Sequence, residues 1–149
     1  MRRLSCLVVV AVLFAGAGCG GDDPAPADTS YAAAGSSTGA SGAQTLNGCE
    51  AATAEDHTSD ATLTIATSGL GYSPACVKVK AGTDVTFNAD FGIHPLRGGD
   101  AASREEDEGS PIDDTDSGTS VTFTFASAGA FGFYCNIHAP SMAGAVFVE

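Results

Sequence analysis

Cys135, His138 and Met142 fall within eight residues near the end of the chain, so a thiolate, an imidazole and a thioether arrive together. Donors of graded softness on one turn suit a metal that cycles between Cu(I) and Cu(II). A thiolate and two imidazoles form a trigonal set, and a weak axial thioether keeps the reduced state accessible. The second imidazole must come from elsewhere. His94 is the candidate, because it follows the strand pattern of residues 85–88 at a turn, where a sandwich gathers its loops at one end. The other methionine is the initiator, and only three histidines are present, so two of the three fall where ligands are needed. His57, in the polar run Ala54-Glu55-Asp56-His57-Thr58, has no sulfur neighbour and is expected to be exposed.

The elements that must position these donors are short strands. Thr62-Leu63-Thr64-Ile65-Ala66 alternates, as do Val77/Val79 against Lys78/Lys80, Val85/Phe87 against Thr86/Asn88, and Val121/Phe123/Phe125 against Thr122/Thr124. Phe131 to Cys135 reads as a further strand with Cys135 on the inward face, and residues 143–149 close the chain. Turn signals fall at Gly69-Leu70-Gly71, Ala81-Gly82, Gly98-Gly99 and Ala128-Gly129. With no amphipathic helix pattern, the expectation is an all-β domain over 48–149, a Greek-key antiparallel β-sandwich or small barrel.

What precedes it reads differently. Arg2 and Arg3 followed by the apolar run Leu7 to Ala15 predict an export signal over 1–18, and Gly16-Ala17-Gly18-Cys19 resembles a bacterial lipobox with Cys19 as the lipid acceptor. Residues 19–47, rich in Gly, Ala, Ser and Thr, cannot bury enough apolar surface to offset their conformational entropy and are expected to form a flexible tether. The chain is therefore expected to be exported and lipid-anchored on the extracytoplasmic side of a bacterial membrane. Setting aside Cys6 in the signal and Cys19 leaves Cys49, Cys76 and Cys135. Cys49 and Cys76 are expected to pair as a disulfide in an oxidising compartment, with Cys76 on the outward face beside Lys78.

Eighteen acidic against six basic residues give a net charge of −12, and removal of Arg2 and Arg3 with the signal would take this to −14. That balance excludes nucleic acid as a partner, since phosphate neutralisation needs clustered cations. The acidic residues concentrate in the insertion 100–116, which holds Arg104 as its only cation. It is either a solvated loop or a docking face for a basic partner.

Phe133-Tyr134-Cys135-Asn136-Ile137-His138 followed by Met142 and Gly144 resembles the ligand loop of plastocyanin, pseudoazurin and related cupredoxins, the type 1 blue copper family. The resemblance spans roughly the last hundred residues. It implies one copper ion with Cys135 as short-bonded thiolate, His94 as buried imidazole, His138 as the exposed imidazole through which electrons leave, and Met142 as axial ligand. It also implies that Tyr134 stands on a second electron route. The Cys-x2-His-x3-Met spacing is more like azurin than plastocyanin or amicyanin. Pro95 follows His94 where the family commonly has an Asn that ties the two ligand loops, so that tie must be replaced or lost.

The function expected from these residues is a monomeric one-electron carrier between protein redox partners, a basic c-type cytochrome among them. The alternative is a copper chaperone or scavenging module, which would favour more methionines. An enzyme is not expected, since three histidines cannot furnish a second copper site and no hydrolase motif is visible.

Overall fold

The computed structural model describes residues 44–149. The expected signal, the lipid-accepting Cys19 and most of the tether lie outside the described residues. The strands are β1 (Thr45–Leu46), β2 (Cys49–Glu50), β3 (Glu55–His57), β4 (Thr62–Ser68), β5 (Gly71–Ser73), β6 (Cys76–Val79), β7 (Thr83–Asn88), β8 (Leu96–Asp100), β9 (Glu105–Glu106), β10 (Ser120–Phe125), β11 (Gly129–Cys135) and β12 (Ala143–Val148).

Alternation builds two sheets that face each other. In the order β10-β7-β4-β5, Leu63, Ile65, Val85, Phe87, Phe123 and Phe125 point inward. In the order β3-β6-β12-β11-β8-β9, they meet Val77, Val79, Leu96, Phe133 and Val146. The Phe87 ring packs edge-on against Phe133 across the core at a centroid distance of 5.0 Å, a geometry favoured by the ring quadrupoles. The result is the two-sheet β-sandwich that the strand rhythm predicts. Its ladders are mixed, however: β4–β7, β6–β12 and β3–β6 run parallel and the remaining ladders antiparallel. Side-chain alternation has the same period in both ladder types, so it reports the buried face and is blind to strand direction.

Strand β12 is buried on both faces from Gly144 to Val148. Its outer face is covered by a second apolar cluster of Cys49, Ala145 and Phe147, against which Leu46, Ala51, Ala54 and Ala130 pack. The β1–β2 hairpin brings this cover, and the Cys49–Cys76 disulfide staples it to β6, with half-buried Cys76 on the outward face as expected. Ordered structure thus reaches into the stretch assigned to the tether. Asn47, in the turn with φ +52°, directs Nδ2 at the carbonyls of Gly99 (3.0 Å), Gly144 (3.0 Å) and Phe133 (3.3 Å) and accepts from Ala101 N–H through Oδ1 (2.8 Å). Gly132 leaves room for that side chain, since a Cβ there would strike Asn47 Nδ2 and the Gly99 carbonyl.

Gly98 and Gly99 were expected as a turn, yet they lie inside β8. Gly99 has φ +140°, and a Cβ on it would collide with the Glu105 carbonyl of β9. These glycines permit close backbone approach, a use of glycine in strands that mimics turn punctuation.

Candidate metal centre

The sandwich ends where β7 passes to β8 and β11 to β12, and both connections carry donors. After β7 the chain is anchored by buried Ala89 and Phe91, whose N–H groups donate to the carbonyls of Thr119 and Gly118. Asp90 then winds the turn: its side chain accepts from Gly92 N–H at 3.1 Å and its carbonyl from His94 N–H at 2.8 Å. Two residues later Leu96, fully buried, stands opposite Cys135 in the β8–β11 register. His94 is therefore placed beside the thiol by strand pairing across 41 residues of sequence.

Cys135 is the last residue of β11 and fully buried. The loop that follows is folded onto it. Cys135 N–H donates to Met142 O (2.9 Å), the Cys135 carbonyl accepts from His138 N–H (3.2 Å) and Ala139 N–H (2.9 Å), and Met142 N–H reaches His138 O (3.2 Å). Ser141 Oγ adds a bond to His138 O at 2.7 Å. Asn136 N–H donates to the carbonyl of Pro95 at 2.8 Å, so the two ligand loops are tied through backbone where the Asn common in the family is missing.

The three donor atoms converge. Cys135 Sγ lies 3.3 Å from His138 Nδ1 and 3.8 Å from His94 Nδ1, and the two Nδ1 atoms are 3.2 Å apart. First-row metal bonds of roughly 2.0–2.1 Å to imidazole and 2.3 Å to thiolate, at trigonal to tetrahedral angles, put such donors about 3.3–3.8 Å apart. The triangle thus fits one ion, and its soft sulfur beside two imidazoles suits copper. Met142 is fully buried in the same core cluster as Cys135. His94 was expected to be the buried imidazole, but it is partly exposed, as is His138. The exposed neighbours Gly92 and Ile93 leave its edge uncovered. Ile93 and Ile137, each adjacent to one of these histidines, are 58% and 56% exposed and give this end an apolar rim.

Tyr134 faces away from the core yet is only 1% exposed. Arg97 stands opposite it in the β8–β11 register, and acidic residues of the insertion act on its hydroxyl. Burial pushes its hydroxyl pKa up, with Glu106 and Asp114 adding to the effect and Arg97 and Arg104 opposing it. Arg97 organises the insertion, reaching Asp116 Oδ1 at 2.7 Å, Asp114 Oδ2 at 3.2 Å and Glu106 Oε1 at 3.9 Å. Burial works against its charge, but Asp116, Asp114 and Glu106 outweigh that and raise its pKa. A two-way backbone bridge between Leu96 and Thr115 and the buried side chain of Ile112 tie the second half of the insertion to β8, while residues 102–109 are exposed. On the other side of the thiol, Tyr72 stacks edge-on against Phe133 at 5.0 Å. Its buried hydroxyl has no hydrogen-bond partner among the described residues, and burial together with the Cys135 charge raises its pKa. His57 lies apart from this centre. Its side chain, only 24% exposed, is hydrogen-bonded through Nδ1 to Asp60 Oδ2 at 2.9 Å, with Glu55 Oε2 3.7 Å from Nε2.

Arg97, Arg104, Asn47 and Tyr72 were not singled out from sequence as parts of this site. Only Arg104 left a trace, as the lone cation of an acidic run.

Residues 59–149 match the family described as copper binding proteins, plastocyanin/azurin family. Among solved structures the chain is similar to the purple cupredoxin from Nitrosopumilus maritimus, at 23% identity over 58% of this chain and 99% of that one, with a TM-score of 0.46. It is also similar to amicyanin from Paracoccus versutus, at 21% identity over 60% and 83% with a TM-score of 0.44. The likeness to the Cu-containing nitrite reductase from Thermus scotoductus SA-01, at 23% identity and a TM-score of 0.45, covers 59% of this chain but only 22% of that protein. No curated protein matches the chain.

Proposed function

The chain belongs to the plastocyanin/azurin family of copper-binding proteins, and on that premise we propose that it is an exported carrier of single electrons that transforms no substrate. The observation that carries this reading is the convergence of Cys135 Sγ with the Nδ1 atoms of His94 and His138 within 3.8 Å, on loops locked by their own backbone hydrogen bonds. Copper held there would supply one redox equivalent through its Cu(I)/Cu(II) couple. The residues supply rigidity. Cys135 is fixed by β11, His94 by the Asp90 turn and by the pairing of β8, two residues on, with β11, and the loop from Asn136 to Met142 by six backbone and side-chain bonds, so little rearrangement accompanies a change of charge. Met142, fully buried in the same core cluster as Cys135, would add its thioether to the donor set. The partly exposed His138 within the apolar rim of Ile93 and Ile137 is the door for electrons, and Tyr134 opposite Arg97 marks a second route.

The remaining elements of the reading concern place and partner. The signal-like start and Cys19 support export with a lipid anchor on the extracytoplasmic side of a bacterial membrane, and the Cys49–Cys76 disulfide is in keeping with an oxidising compartment. A net charge of −12 and the acidic insertion favour a basic partner such as a c-type cytochrome. The competing reading is a copper chaperone or scavenger, favoured by the partial exposure of both histidines. Mixing the reduced copper protein with an oxidised c-type cytochrome in a stopped-flow instrument separates them. A carrier reduces the cytochrome and keeps its copper through repeated cycles. Loss of the ion to a Cu(I) chelator within the first turnovers, without cytochrome reduction, would establish the chaperone instead.

A further inference from the structure

Arg104 is the single cation between Asp100 and Asp116, yet among the described residues it forms no ion pair with those carboxylates. Its guanidinium leaves the β8–β9 hairpin and donates from Nη1 to the carbonyl of Asn136 at 2.9 Å and from Nη2 to the carbonyl of Ala139 at 3.0 Å. Those two carbonyls bracket Ile137 and His138. The turn that presents Arg104 is wound tightly: Asp100 Oδ1 accepts from Ala102 N–H and Ser103 N–H, both at 2.8 Å, and from Ser103 Oγ at 3.1 Å. Arg104 itself takes the left-handed φ of +59°, which for a non-glycine residue outside Asn and Asp costs energy and needs support from its surroundings. A planar fork can hold two acceptors in one fixed plane, whereas a lysine offers a point charge on a flexible stem. Asn136 is thereby gripped from both sides, its N–H by Pro95 O of the His94 loop and its carbonyl by Arg104.

We propose that Arg104 is a positioning residue of the metal centre: it clamps the His138 segment of the ligand loop to the acidic hairpin and so fixes where the imidazole meets Cys135 Sγ. What the clamped loop carries rests on the copper-carrier reading; the clamp itself does not. The test uses the full chain and the variants Arg104→Gln and Arg104→Lys. In the metal-free protein, the amides of His138 and Ala139, which donate to Cys135 O, exchange with solvent about tenfold faster in Arg104→Gln, as expected from losing charge-assisted hydrogen bonds, while Val146 in β12 keeps its protection. In the copper-loaded protein, both variants shift the thiolate charge-transfer band and the copper hyperfine coupling and release the ion to a chelator about tenfold faster, on the same grounds. Unchanged amide exchange in Arg104→Gln overturns the clamp. Full recovery of spectrum and copper retention in Arg104→Lys also overturns it, because charge alone would then suffice. Should the unmodified protein take up no Cu(II) with colour, the carrier reading fails, and the exchange rates of the metal-free variants still decide the clamp.

Discussion

At the scale of single residues, the donors and the groups that hold them differ in how they are recognised. Cys135, His138 and Met142 are legible in the sequence because their chemistry is concentrated in eight positions, and His94 because histidines are scarce. Asn47 and Arg104 act on backbone carbonyls of Gly99, Gly144, Asn136 and Ala139. Every residue has a carbonyl, so no side-chain pattern announces such partners. Met142 gives a direct prediction. Met142→Leu preserves volume and should cost less than about 1.5 kcal/mol of stability, yet it removes the thioether proposed to donate to the oxidised ion. Cu(II) loses more than Cu(I), so the reduction potential should rise, by at least about 59 mV if the shift is tenfold in the one-electron equilibrium. Protein-film voltammetry measures this, and an unchanged potential would show that the sulfur is not a ligand.

At the scale of elements, alternation revealed the strands around the core, from Thr62–Ser68 to Ala143–Val148. It did not reveal β8, where Gly98 and Gly99 make room for neighbouring backbone, nor the double burial of β12, which needs a cover supplied from far away in sequence. That cover is the β1–β2 hairpin, and two changes test it. Replacing Cys49 and Cys76 together by alanine should lower unfolding free energy by about 2–4 kcal/mol, read as a shift in the denaturant midpoint. Asn47→Ala should cost about 1–3 kcal/mol, because it strands the Ala101 N–H and the carbonyls it serves. The β8–β9 turn carries a pH dependence of its own. Hydrogen bonds from Ser103, first its backbone and then its hydroxyl, lower the Asp100 pKa below its ordinary 3.8. A lowered carboxylate pKa stabilises the folded turn above the unfolded value and loses that contribution as pH falls through the folded one. Exchange of the Ala102 and Ser103 amides should therefore gain an extra acceleration only below pH 3.8, and Asp100→Asn should abolish the step.

At the scale of the molecule, a β-sandwich or small barrel was readable from the rhythm of strands and turns, whereas the parallel ladders β4–β7 and β6–β12 were not, since direction leaves no mark on side-chain alternation. On the proposed carrier reading, the net charge of −12 and the acidic insertion would steer the encounter with a basic partner. With a basic cytochrome the association rate should fall on the order of tenfold from 10 mM to 150 mM salt, as the screening length drops from about 30 to 8 Å. A neutral small-molecule oxidant should show no such dependence, and equal slopes for both in stopped-flow kinetics would remove the acidic face from the account.

The central claim is a single copper held by one buried thiolate and two imidazoles, and titration of the purified protein with Cu(II) under visible spectroscopy tests it most directly. One equivalent should produce an intense thiolate-to-copper charge-transfer band that saturates at a 1:1 ratio, bleaches reversibly on reduction and is missing in Cys135→Ser. A colourless complex, or the same band in Cys135→Ser, would contradict it.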